Sequence, residues 1–308
     1  MFVCTYTYCR TSFGDKLTHC PVCGYPADGA VPEDAESALR ASPKLPVARI
    51  IDMHQIIPNP EGMVGLQVRM MEGLGIERAL LQSVPTKVSS ISGNRQLLAI
   101  RDAHPDRFII SHFMDPRHPR ACKRLRQYRE RGVRVIKLLP CLGYQPDASR
   151  WHRFWRTMEA LGQVAMIHTG FITARHKEEE RRAGVFLNSK HGRPIYFDLP
   201  ARRYPGIPFI LCHMGGAAWV YEAAEMVNQH KNVWGDFSGS GAGALRRIAR
   251  EGIALDWTKA FWGNDASPLA YPYNLNLLLH HLKEGGVETF TSGLLYDNAK
   301  RFISDYLS

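Results

Sequence analysis

Phe209-Ile-Leu-Cys-His-Met-Gly-Gly216 is a run of four apolar residues closed by a histidine, a methionine and a glycine pair. So short an apolar run, bounded by glycines, reads as a buried strand that turns into the amphipathic stretch after it. The same unit recurs on both sides. Strands are expected over 47–54, 76–83, 108–114 and 133–140, then over 164–169, 209–214, 233–237 and 260–264. Helices are expected over 64–74, 94–104, 119–131, 150–161, 219–230, 244–250 and 273–283, with a last one over 297–306. The helix between strands five and six is the least clear, because residues 171–195 form a long polar connection. Eight βα units in roughly 260 residues match the size of a (β/α)8 TIM barrel. A doubly wound sheet competes, but no phosphate-cradling glycine motif follows the first strand, and eight repeats ending in a helix favour closure.

Composition sets outer limits. With 45% hydrophobic and 22% charged residues in 308, the chain has apolar mass for a sizeable core, which excludes disorder, collagen and coiled coil as the main architecture. No apolar run approaches the ~18 residues of a membrane span. The first ten residues lack the layout of a secretory signal. A cytoplasmic protein without membrane contact is the resulting expectation.

Four of the seven cysteines stand in the first 23 residues: Cys4, Cys9, Cys20 and Cys23. Cys20-Pro-Val-Cys-Gly24 is a knuckle in which two thiolates reach one ion while the glycine lets the backbone turn beneath them. The first pair is spaced C-x4-C, wider than the usual two residues, and His19 is a candidate substitute ligand. The segment resembles zinc ribbons and rubredoxin knuckles. That resemblance implies a structural Zn2+ on the four cysteines, with iron redox and disulfides as lesser alternatives. Residues 1–28 are therefore expected to form a zinc-ribbon-like lobe, 29–46 a linker with a short helix near 35–40, and 47–308 an α/β barrel. The remaining cysteines (Cys122, Cys141, Cys212) read as buried thiols.

In a barrel, chemistry collects at the C-terminal ends of the strands. Those ends carry Asp52 and His54, Lys137, His168, His213, Asp236 with Ser238, and Asp265. One histidine after an apolar strand is usually structural. Three, with an aspartate, each ending a different strand, converge on one mouth and suit zinc or a similar divalent ion. The words I-K-L-L-P, M-I-H-T-G, C-H-M-G-G, G-N-D-A-S-P and Y-D-N-A-K-R-F, in this order, resemble the amidohydrolase superfamily. The likeness is to its amidohydrolase-related branch, that of aminocarboxymuconate-semialdehyde decarboxylase and related hydratases and hydrolases. It spans roughly residues 47–308. The resemblance implies metal ligands at His54, His168 and Asp265, an acid-base or polarising role for His213, and a proton-accepting role for Asp265. It also implies hydrolysis or decarboxylation of a small carboxylated substrate. The family's strand one supplies H-x-H, whereas here the second position is Ile56, which binds no metal. A single metal with three protein ligands and water is one consequence. Recruitment of Lys137 or of the 171–195 loop is another. A metal-free or non-catalytic barrel that binds a ligand or partner is the third.

Lys137 is read as a holder of a substrate carboxylate, or else as a strand-end charge paired with Asp265 or Asp236. In the long loop, Arg175, His176, Lys177, His191 and Arg193 are candidates to meet an anion, against the plainer reading of a solvated mixed-charge loop. Tyr144, Trp219 and Trp262 are candidate pocket walls, with packing between helices as their default. Net charge is +10, yet residues 1–46 hold four Lys/Arg against five Asp/Glu. Residues 117–137 alone hold nine against one. A basic helix pointing away from the mouth accounts for most of the charge, and an acidic lobe argues against nucleic acid. The expected partner is a small-molecule substrate, with homo-oligomer formation left open and no nucleic acid or membrane.

Overall fold

The computed structural model of the chain describes residues 2–14, 17–30, 32–58, 60–85, 91–172 and 186–308. Two lobe strands, β1 (Phe2–Val3) and β2 (Ser12–Phe13), pair antiparallel. Eight further strands form one parallel sheet in chain order: β3 (Ile50–Gln55), β4 (Ile76–Leu81), β5 (Phe108–Phe113), β6 (Val135–Leu138), β7 (Val164–His168), β8 (Phe209–Cys212), β9 (Val233–Asp236) and β10 (Ala260–Phe261). All eight expected strands are present, and each of the eight expected barrel helices is found within a few residues of its predicted span.

The continuous apolar runs have a simple cause: both faces of most barrel strands are buried. Ile51, Met53, Val135, Val164, Met166, Ile210 and Cys212 point inward and fill the barrel with Trp234 and Phe261. Ile50, Ile136, Ala165, Ile167, Phe209 and Leu211 alternate with them and pack beneath the helices. Lys137 and His168 prolong the inward columns of β6 and β7, so the inner rows turn from apolar to polar at the mouth.

Closure is a near-closure. β10 has two residues and no ladder with β3. The seam is instead carried by Met53 N donating to Trp262 O (3.1 Å), Asn264 N to Asp52 Oδ1 (3.1 Å) and Asp265 N to His54 O (2.7 Å). Strand eight, expected to run to Asn264, therefore stops at Phe261, because the chain beyond turns toward β3.

The element that the pattern left unclear is a short helix, Asp198–Arg203. Six residues carry too little periodicity to read, and Pro200 suggests a break although proline is tolerated in a first turn. The linker helix Ala35–Leu39 is capped by Asp34, which accepts from Ser37 N at 2.7 Å. On the basic helix Ala121–Glu130, Leu125 is buried while Lys123, Arg124 and Arg126 are exposed. Among the described residues no helix is long and apolar enough to cross a membrane.

Two outcomes are expected. A Cβ on Gly263 would lie 2.5 Å from His54 Cβ and 2.8 Å from His54 N. Gly263→Ala should therefore force the seam apart and cost about 1–3 kcal/mol in urea denaturation. His112 in β5 is buried with its ring edge-on to Tyr128 at 4.6 Å. Burial first, then the charges of Arg101 and Arg131, holds its pKa down at about 4 from 6.5. The unfolded chain binds that proton more readily, so the contribution is complete above pH 6.5 and is lost as pH falls toward 4, by about 3 kcal/mol in all. His112→Phe should flatten the wild-type loss of stability across that window. Equal slopes for the two proteins would refute the assignment.

Candidate active site

The strand ends enclose a cavity of about 600 Å³. From the barrel it is lined by His54, Ile56, Lys137, His168, His213 and Asp265, and from the lobe by Thr5, Tyr6, Thr7, Tyr8 and Tyr25. Four histidine and aspartate side chains from four separate strand ends thus meet in one place.

Asp236, fully buried at the end of β9, organises them. Its Oδ2 accepts from His54 Nδ1 at 2.8 Å. Its Oδ1 accepts from the backbone N–H groups of His213 and Ser238, each at 3.0 Å, and from the Ser238 hydroxyl. His213 Nδ1 lies 2.9 Å from the Ser238 carbonyl oxygen, which can only accept, so that nitrogen carries the hydrogen. Both imidazoles are thereby fixed through Nδ1 and are left with Nε2 for other partners. His54 Nε2 stands 3.3 Å from Asp265 Oδ1, and His213 Nδ1 is 3.8 Å from Asp265 Oδ2.

The electrostatics follow. Burial works to lower the His54 pKa, but the Asp236 and Asp265 carboxylates outweigh it and hold it up at about 10. Burial opposes ionisation of Asp236, yet the His54 charge and hydrogen bond keep its pKa below the usual carboxylate range. Burial lowers His168 strongly and His213 to a lesser degree. Asp52 is raised by burial to about 6. It is fully engaged, accepting from Tyr271 Oη (2.6 Å), His54 N (2.9 Å) and Asn264 N (3.1 Å), and so fastens the end of β3 rather than facing the cavity.

Backbone strain marks the same places. His213 and Asp265 hold left-handed φ values of 64° and 47°, a cost of roughly 1–3 kcal/mol each that the surrounding hydrogen bonds sustain.

The donor set suits a divalent cation. The potential donor atoms of His54, His213 and Asp265 lie within 4.8 Å of one another. His168 sits beside His213 with ring centroids 5.0 Å apart, and its buried Nε2 has no hydrogen-bond partner. A histidine whose Nδ1 is held by a carboxylate, as His54 is by Asp236, is the usual setting of a metal ligand. Lys137, 3% exposed, donates to Cys212 Sγ at 3.1 Å.

Other expected residues are placed elsewhere. Arg175 lies outside the described residues, as do His176 and Lys177. His191 sits in the turn Ser189–Gly192 and does not line the cavity. Arg193 pairs with Glu222. Tyr144, Trp219 and Trp262 do not line the cavity either, and Trp219 instead stacks on Phe171 at 4.6 Å.

In the lobe, all four cysteines are free and buried, with their sulfurs within 4.8 Å of one another. Cys4–Cys23 and Cys9–Cys20 are each 3.6 Å apart. A tetrahedron of metal–sulfur bonds of about 2.3 Å has edges of about 3.8 Å, whereas a disulfide needs about 2.05 Å. The spacing fits one ion and no disulfide. The sequence reading missed the lobe's contribution to the cavity. Its signal was the wide C-x4-C spacing, which inserts Tyr6 and Tyr8.

The profile of the amidohydrolase family matches residues 52–303. The chain belongs to the amidohydrolase family. It is accordingly an enzyme of the hydrolase-or-decarboxylase kind. A search of curated proteins finds no match. Among solved structures, an uncharacterized TIM-barrel protein of Bordetella bronchiseptica is similar with a TM-score of 0.63 at 16% identity, covering 84% of this chain and 99% of that one. The 2,6-dihydroxybenzoate decarboxylase from Rhizobium gives 0.53 at 14%, with 84% and 99% covered. A 5-carboxyvanillate decarboxylase of Novosphingobium aromaticivorans, solved with manganese and a nitrobenzoic acid, gives 0.51 at 17%, with 77% and 79% covered. At these identities the likeness is one of fold.

Removing the organising carboxylate should be costly. Asp236→Ala leaves the His54 ring and the His213 and Ser238 amides without their buried partner, and should lose about 3–5 kcal/mol in chemical denaturation. A loss below 1 kcal/mol would mean that Asp236 does not hold the mouth together.

Proposed function

We propose that this enzyme cleaves a small carboxylated substrate, by hydrolysis or decarboxylation, with one divalent metal in the barrel. The carrying observation is the meeting of His54, His213 and Asp265 in one cavity with the unpartnered Nε2 of His168. His54 and Asp265 would hold the ion with His168, the third ligand that the family resemblance implies, although the histidine whose donor atom groups with theirs is His213. When bound, a divalent ion lowers the pKa of water and polarises a substrate oxygen. The manganese in the Novosphingobium decarboxylase supports a divalent metal, and the family profile supports the reaction class.

The chain's own groups divide the remaining work. Lys137 is a buried ammonium whose hydrogen-bond acceptor is a thiol sulfur, a weak one. A substrate carboxylate is the stronger partner, and Lys137 would orient it. Asp265, held in its strained backbone by the bond to His54 O, accepts the proton released from the attacking water, or keeps it for return to carbon. His213, anchored through Nδ1, presents Nε2 to polarise the substrate or deliver a proton to the leaving group. Ile56 lines the same cavity and leaves the ion one protein ligand short. The lobe's four cysteines would hold a second, structural Zn2+, and seven free thiols suit a reducing, cytoplasmic setting.

The purified protein should contain two ions per chain, one in each site. His168→Ala should lose one of them and keep the other. Asp265→Asn should lower turnover by about 10²–10⁴-fold while retaining the fold. Aromatic carboxylates, with 2,6-dihydroxybenzoate and 5-carboxyvanillate first, are the substrates to try. Ile56→His should tighten the barrel ion. An unchanged ion count in both His54→Ala and His168→Ala, with no turnover on any carboxylate, would end this reading.

A further inference from the structure

The spacing of the first cysteine pair has a structural outcome. Thr5, Tyr6, Thr7 and Tyr8, the four residues between Cys4 and Cys9, all line the barrel cavity, together with Tyr25 from the second knuckle. The four cysteines share an apolar cluster with Ala270, Tyr273 and Leu277 of the barrel, of which Ala270 and Tyr273 also line the cavity. The lobe is thus packed on a barrel helix through its cysteines and contributes its loop to the cavity lining.

It is also bonded to the strand end that bears Asp265. The Tyr6 hydroxyl donates to Asn274 Oδ1 at 2.6 Å. Asn274 Nδ2 in turn donates to the carbonyl and side-chain oxygens of Asn264, at 2.9 and 2.8 Å. The Tyr8 hydroxyl meets the Asp265 carbonyl oxygen at 3.5 Å. Asn276 Nδ2 donates to Cys23 O at 3.2 Å. Tyr6 stacks on Tyr25 at 5.3 Å, and Tyr25 meets the edge of Tyr273 at 5.1 Å.

We propose that the four-cysteine lobe is a built wall of the active site: its ion fixes the loop of residues 5–8, Tyr8 contacts the substrate and selects it, and Tyr6 positions the Asn264–Asp265 turn. This deepens the function proposed above and rests on it. A lobe of some 28 residues has too small a core to hold a loop by itself. Clamping both ends of the loop to one ion supplies the missing rigidity. The wall so formed offers tyrosine rings and threonine hydroxyls. That surface fits the face of a planar, unsaturated acid better than a flexible aliphatic one.

Hydrogen exchange on the full chain tests the positioning. Cys20→Ser/Cys23→Ser should lose the lobe's ion, keep the barrel's, and show exchange at residues 264–274 at least about tenfold faster, with β5, β6 and β7 unchanged. Tyr6→Phe keeps all four cysteines and both ions, so it decides the matter even if the double variant does not fold. It too should speed exchange at 264–274. Wild-type protection of that segment in Tyr6→Phe would overturn the positioning role. For the wall itself, Tyr8→Ala assayed on the aromatic carboxylates should raise KM about tenfold and lower kcat by less than about threefold. An unchanged KM would overturn it. Absence of turnover by the wild type on every acid would count against the proposed function, whereas the exchange result would still decide whether the lobe positions the turn.

Discussion

A single carboxylate without solvent contact, that of Asp236, is bonded at once to a side chain of β3, to the backbone after β8 and to the turn after β9. In water such bonds would exchange freely. At full burial, a missing partner leaves a charge or an N–H stranded, at several kcal/mol each. The three strand ends are therefore held in one relative arrangement, and the groups presented to the cavity inherit it. His54 and His213 have their positions because their inner nitrogens and amides are committed elsewhere. The strained backbone at His213 and Asp265 persists for the same reason.

Much of this was legible in the residues, for identifiable reasons. Strands buried on both faces must be apolar throughout, so the runs ending at His54, His168 and His213 were readable as strands, and their polar last residues as a mouth. Local pattern does not encode which nitrogen of His54 is occupied, because the occupant, Asp236, is far away in sequence. The helix Asp198–Arg203 was too short to carry a period. Strand eight was overextended because Trp262, Gly263 and Asn264 look like strand, yet their hydrogen bonds go to the seam. The lobe's role in the cavity was the largest omission. Its cysteines announced an ion, but only the packing against Ala270, Tyr273 and Leu277 shows which way the loop faces.

Charge behaves likewise. The densest run of cations, nine against one acid, lies in residues 117–137, where Lys123, Arg124 and Arg126 stand on the exposed side of the helix Ala121–Glu130 and water screens them. One buried cation, Lys137, sits in the cavity. At that depth the same charge acts over a much lower dielectric than on the basic helix.

The Ser238 hydroxyl has a consequence of its own. Its oxygen lies 2.8 Å from His54 Nδ1, 3.0 Å from His213 Nδ1 and in close contact with Asp236 Oδ1. A hydroxyl has one hydrogen to give. Since both imidazole nitrogens already bear hydrogens, that hydrogen goes to the carboxylate, and the oxygen's lone pairs turn to the two rings. The hydroxyl's orientation thus follows from the Nδ1–H groups that the Asp236 carboxylate and the Ser238 carbonyl fix in the two rings. In this way Ser238 ties the buried carboxylate and both imidazoles into one hydrogen-bonded knot beneath the cavity.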